Sequence, residues 1–280
     1  MDVSVAMAVL VASLLHASWH ALIKSSGDQL ASLAGMNLVA GVVACAALPL
    51  VTPPSATVFA IIAGSVLLHA GYKIALASLY GKAELGQAYP IARGLTPVMA
   101  TVLGLAVLRE LPGPMLLSGI ALISLGIMAL FVEKSVKRLS TSALGPALLV
   151  GTTVAAYSVV DAYGVRRHGD WVGFTVWLVA IDCAVFVGYA WVVRGRRLAA
   201  VWNADRLKTF GSGILGLVSF GVFMWALGRA PVGAVSALRE TSVIFAAILG
   251  ALFLGEVATW RRYAAAATVM LGVIVVSAAR

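Results

Sequence analysis

Long apolar runs, interrupted at glycine, proline and clusters of charge, divide the sequence into ten segments. They cover residues 3–23, 30–51, 57–80, 86–108, 115–132, 143–165, 171–193, 209–228, 233–254 and 263–279. Each is close to or above the roughly 18 apolar residues that let a helix cross a bilayer. Polar residues do not alternate with apolar ones inside the runs, as they would in the strands of a transmembrane barrel. The pattern predicts an all-α integral membrane protein of ten transmembrane helices. Its connectors are too short to fold as domains, so any site must be built from the helices.

The pattern also repeats. The stretch GKAELGQAYPIARGLTPVMATVLGLAVLRE, from Gly81, returns as GRAPVGAVSALRETSVIFAAILGALFLGE, from Gly228. At an offset of 146, Arg93, Ala100, Gly104, Leu108 and Glu110 meet Arg239, Ala246, Gly250, Leu254 and Glu256, and Gly126 meets Gly272. Two five-helix repeats are expected, 1–135 and 136–280. Five is odd, so the repeats enter the membrane in opposite orientations. Inverted repeats of this kind hold a substrate between them near mid-membrane in many transporters.

Helix positions 0, 7 and 11 share a face, which aligns Arg93, Ala100 and Gly104 in a stripe of small residues with a cation at one end. Small residues let helices approach closely in lipid. Pro90 and Pro97 remove backbone donors from the same helix, and freed carbonyls are tolerated only beside protein or water. The expectation is a bent helix with Arg93 pointing into a polar cavity. The competing reading lets Arg93 snorkel to the headgroups.

Composition narrows the class. Of 280 residues 61% are hydrophobic and 11% are charged, with a net charge of +9. Most cations lie in connectors such as RGRRLAAVWNADRLK, Arg194 to Lys208, which suits lipid headgroups and topology better than nucleic acid. Cys45 and Cys183 fall inside spans and read as packing residues, with no disulfide or metal spacing. Asp2 stands where a signal peptide would carry a cation, so the first span reads as retained.

Several polar residues inside spans are candidate substrate contacts. His16 and His20 lie four apart with Trp19 beside them; two histidines without a third ligand make a poor metal site, and no metal or cofactor is expected. The pair either lines the cavity, where protonation near neutral pH is available to it, or bonds helix to helix. Tyr72 and Lys73 follow His69 on the third span, and Lys73 either snorkels or faces the cavity. Tyr157 and Asp161 are one turn apart on the sixth, where Asp161 is alternatively a partner for Arg166 or Arg167. Asp182 sits near the middle of the seventh span, where an acid is a functional group or a protonated structural one. Glu240 follows Arg239, and neighbours diverge by about 100°, so one faces the cavity and the other a helix. Trp225 and Ser236 fall near the same interface. Glu110 and Glu256 suit a structural or gating salt bridge, with Arg109, Arg261 or Arg262 as partners.

The ten-helix, two-repeat plan resembles the drug/metabolite transporter superfamily in its EamA-type branch. The segments RGLTPVMATVLGLAVLRE and RETSVIFAAILGALFLGE, each closing on an acid, carry the resemblance, with LLHASWHALIK at the first helix. In length and style the chain is most similar to the YddG-type amino-acid exporters, although His20 stands where relatives often have Asn or Gly. The resemblance implies a secondary transporter of the cell (inner) membrane, exporting small metabolites, with amino acids as the first choice. A zwitterion needs a cation for its carboxylate, Arg93 or Arg239, and an acceptor for its ammonium. Trp19, Tyr72, Tyr89 and Tyr157 are placed to meet its side chain. Proton coupling is a candidate driving force and one chain suffices.

Export of cationic drugs or of sugar- or nucleotide-sugar-like metabolites is the runner-up. No Walker sequence supports ATP as the driver. A membrane-embedded enzyme is the remote alternative, without Gly-x-Ser-x-Gly or His-Glu-x-x-His to support it. Orientation stays open. The odd-numbered connectors hold twelve Lys and Arg against five on the other side, which puts both termini outside the cytoplasm, whereas the resemblance implies both inside.

Overall fold

Among the described residues, three helices are capped by the side chain of an aspartate. The side chains of Asp2, Asp28 and Asp170 accept hydrogen bonds from the backbone N–H groups of Ser4, Ala31, and Val172 with Gly173. Each satisfies donors that a first helical turn leaves unpaired. A computed structural model of the chain describes residues 1–82, 85–129, 141–246 and 259–279. The helices are α1 (Val3–Lys24), α2 (Gln29–Ala47), α3 (Ala56–Lys82), α4 (Leu85–Leu108), α5 (Pro114–Ala129), α6 (Thr141–His168), α7 (Trp171–Arg194), α8 (Arg197–Ala204), α9 (Arg206–Leu227), α10 (Val232–Glu240) and α11 (Trp260–Ala278). Among the described residues there is no strand. Among the described residues six helices are long and apolar enough to cross a membrane: Val3–Lys24, Gln29–Leu50, Ala56–Ser78, Leu148–His168, Trp171–Arg194 and Arg206–Leu227. Arg93–Leu108, Pro114–Ala129 and Tyr263–Ala278 are shorter apolar helices.

Two details depart from the hydropathy pattern. The connector between the seventh and eighth spans contains α8, which buries Leu198. The ninth span is interrupted, because α10 ends at Glu240, Thr241 forms a turn, and helix resumes at 242–246. Glu256, Leu254 and Gly250 lie outside the described residues. Cys183 packs in the interior against Gly41, whereas Cys45 is exposed rather than packed.

The principal packing pairs that join α1 to α5 with the later helices are α1 with α9, α3 with α6, α2 with α7, α5 with α11, α4 with α6 and α10, α1 with α10, α2 with α9, and α3 with α7. Exchanging α1 to α5, in order, for α6, α7, α9, α10 and α11 turns this set into itself. The correspondence reaches single residues where α5 meets α11. A Cβ at Gly126 would lie 2.6 Å from Val269, and one at Gly272 would lie 2.7 Å from Ile123, itself 146 residues before Val269. Only glycine lets the two backbones approach this closely.

One end of the bundle carries residues 48–55, 109–113, 169–170 and 228–231; the other carries 25–28 and 195–205. At the first end Glu110 joins three helices. Its Oε1 pairs with Arg166 Nη1 at 2.7 Å and its Oε2 accepts the Val232 N–H at 2.8 Å. Arg166 also donates from Nε and Nη2 to the carbonyls of Leu227 and Ala230. The partner of Glu110 is thus Arg166, not the adjacent Arg109. The N-terminal amino group donates to the Ala279 carbonyl, so residues 1 and 279 meet at this end.

Candidate binding cavity

Between α1, α2, α3, α6, α7, α9 and α10 lies a cavity of roughly 820 Å³, including its open mouth. Its wall runs from Trp19 and Leu33, near the end carrying 25–28, to Phe223 and Arg239, nearer the end that Glu110 ties together. Each packed helix exposes a few residues to it because neighbours along a helix point in different directions.

Among the described residues the wall carries one ion pair and one cation outside any ion pair. Lys73 Nζ bonds Asp182 Oδ2 and lies 4.8 Å from the centre of the Phe186 ring. Asp182 Oδ1 is buried without a hydrogen-bond partner among the described residues, while the Asp182 carbonyl accepts from Asn37 Nδ2 at 3.3 Å. Arg239 Nη2 bonds the Tyr157 hydroxyl, and its guanidinium carbon sits 4.4 Å from the Phe223 ring centre. No carboxylate among the described residues lies within ion-pairing distance of Arg239, and its Nε has no partner. A guanidinium held by a hydroxyl and an aromatic face, in a partly desolvated wall, is suited to receive an anionic oxygen pair.

Aromatic rings complete the wall. His69 stacks on Tyr157 at 4.0 Å, with Phe220 edge-on to it at 5.4 Å, and Tyr72 meets Tyr157 at 5.7 Å. His16 and Trp19 face the same space, in edge contact at 4.9 Å.

Behind this wall is a buried charge cluster. Arg93 is fully buried; its Nη1 lies 3.1 Å from both Glu240 oxygens. Arg93 Nη2 lies 3.2 Å from the Nε2 atoms of His16 and His20, which are 3.0 Å apart. Nη2 can donate to an unprotonated Nε2 of either ring, and the contact between the two rings is a hydrogen bond when one of the Nε2 atoms carries its ring's proton. Arg93 therefore neither reaches the cavity nor snorkels: a carboxylate and two imidazoles satisfy it inside the protein. His20 stacks on Trp19 at 3.7 Å, one layer back from the wall.

The other candidates separate in the same way. His16, Trp19, Tyr72, Lys73, Tyr157, Asp182 and Arg239 line the cavity, and His20, Arg93, Asp161, Trp225, Ser236 and Glu240 do not. Asp161 is fully buried; it accepts from Ser65 and pairs with His69 at 3.0 Å rather than with Arg166 or Arg167. Trp225 lies under the Arg229 guanidinium at 4.7 Å, and Ser236 is buried in α10. Tyr89 is placed on α4, but its side chain lies outside the described residues. Asn37, His69, Phe220 and Phe223 also belong to the wall, although nothing in their spacing groups them. His69 alone carries a signal, as a histidine one turn before Lys73.

Residues 142–278 match the EamA-like transporter family. No curated protein matches the chain. Among solved structures 28 chains match. One crystal structure aligns with a TM-score of 0.77 over 98% of this chain and 96% of the other, at 16% identity, which is a likeness of fold.

Proposed function

We propose, from the match of the second half of the chain to the EamA-like transporter family, that this multi-pass membrane protein is a secondary transporter of amino acids. It works by alternating access through the cavity between two inverted five-helix repeats, residues 1–135 and 136–280, with export from the cell as its direction. The family match supports transport of a small molecule across a membrane. The exchange symmetry of the helix pairs supports the two-repeat division. One observation carries the choice of substrate: Arg239, on the cavity wall, forms no ion pair among the described residues, the neighbouring Glu240 being bonded to Arg93.

The aligned repeats explain why. Glu240, which neutralises Arg93, stands where the first repeat has Gly94. The position that would supply the equivalent acid to Arg239 is empty of a side chain. A substrate carboxylate takes that place, with Asp182 and its unpartnered oxygen as acceptor for the ammonium. The aromatic wall then receives the side chain. An organic-cation substrate fits less well, since Lys73 and Arg239 outnumber Asp182 on the wall.

Counterflow of labelled amino acids in proteoliposomes tests the reading. The wild-type chain is expected to exchange at least one neutral amino acid faster across the membrane when unlabelled substrate fills the lumen. Arg239→Gln lowers that exchange by about two orders of magnitude, since a charge-assisted bidentate contact is worth roughly 3 kcal/mol. Wild-type exchange by folded R239Q, or no acceleration with any amino acid, would remove the proposal.

A further inference from the structure

We infer that the ridge made by α8 and the helix ends flanking it is a binding site for the phosphate of an anionic phospholipid headgroup. Arg196, Arg197 and Arg206 are exposed along this ridge. No carboxylate among the described residues pairs with any of the three; Arg206 bonds only the side-chain oxygen of Asn203, at 2.9 and 3.2 Å. The other two cations of the stretch are taken, Arg194 by Asp28 at 2.8 Å and Lys208 by Asp205 at 3.5 Å.

Apolar side chains bracket these cations. Val192, 85% exposed, lies just before α8, and Leu207, 90% exposed, lies just after it, with Trp191 and Phe210 also exposed. In a membrane protein such residues face acyl chains, so the arginines stand at the boundary where lipid phosphates lie. Soluble phosphate would use the cations alone, whereas a phospholipid also covers the flanking apolar surface.

The ridge is held in place from beneath. Leu198 is fully buried, and Trp202 Nε1 donates to the Ala31 carbonyl at 2.8 Å. The indole lies against Gly35, where a Cβ would come within 2.7 Å of it. The three arginines therefore project from a fixed support, which lowers the ordering cost of binding. Because α2 also supplies Leu33, Met36 and Asn37 to the cavity wall, the lipid sits one helix away from it.

Native mass spectrometry tests this on the full chain, purified in mild detergent and mixed with equal amounts of phosphatidylglycerol and phosphatidylethanolamine. The wild-type protein should retain phosphatidylglycerol with about a tenfold preference, as expected for several headgroup cations. R196Q/R197Q/R206Q should bring the two lipids to parity, and R196K/R197K/R206K should keep the preference. The single charge reversal R197E, on the exposed face, serves as a second variant and should reduce the preference by several-fold. Equal retention by the wild-type protein, or an undiminished preference in the glutamine variant, overturns the inference. Complete displacement of the lipid by millimolar glycerol 1-phosphate would make the ridge a soluble-phosphate site and also overturn it. The readout is lipid retention, so it stands or falls apart from transport.

Discussion

Arg93 and Arg239 occupy equivalent places in the two aligned segments and end in opposite surroundings. Arg93 is closed off by Glu240 and two histidines, whereas Arg239 borders a cavity from between Tyr157 and Phe223. A buried pair that loses one partner leaves the other charge uncompensated, which destabilises by about 3–5 kcal/mol. Glu240→Gln should therefore lower the thermal unfolding midpoint strongly, and removing both charges together, Arg93→Met with Glu240→Leu, should recover most of the loss. Equal destabilisation by single and double variants in detergent would show that the pair is not the origin. The residue types were visible in the sequence, but their partners were not. Spacing on one helix says which side chains share a face; it does not say which other helix that face meets.

At the scale of helices, the apolar runs foretold where α1, α2, α3, α7 and α9 would form, and the aspartates before α1, α2 and α7 mark the starts. α8 is not legible in the hydropathy pattern, because an eight-residue helix carrying arginine has no apolar run long enough to be read as one. The break at Thr241 carries no glycine or proline to announce it. Helices that are apolar all round also hide which side faces inward, so Asn37 and Phe220 could not be assigned to the cavity beforehand. The cap of α2 yields a pH prediction. Burial alone would raise the Asp28 carboxyl, but the Ala31 N–H and the Arg194 guanidinium outweigh it and hold it below the usual carboxylate value. Its folded-state pKa is depressed, so its stabilising effect is complete above an unfolded value of about 3.9 and fades as pH falls through the folded one. The gap in unfolding temperature between the wild-type chain and Asp28→Asn should stay constant from pH 7 to 5 and close below about pH 4. A gap that widens on acidification would contradict the assignment.

For the whole molecule, the Glu110–Arg166 contact ties α4, α6, α9 and α10 together at one end, while the cavity extends toward the other. A maleimide that cannot cross the membrane should label Met36→Cys, in a background of Cys45→Ser and Cys183→Ser, from the end carrying 25–28 only. Adding Glu110→Gln should raise labelling from the opposite end several-fold, because a partly exposed ion pair and its carbonyl contacts hold that end by about 1–3 kcal/mol. Labelling from both ends before that change would mean that the contact closes nothing.

Gly94, pressed against α5 with the site of a Cβ 2.5 Å from Met128, leaves no room for the acid that its counterpart supplies across the bundle. Were the two halves identical at this position, each would cancel the other's cation, and the bundle would present a solute with no free charge at either place. On the proposed reading, the capacity to recognise an anion comes from this one difference between the halves: a carboxylate present beside Arg93 and absent beside Arg239 makes half of a self-neutralised scaffold a receptor.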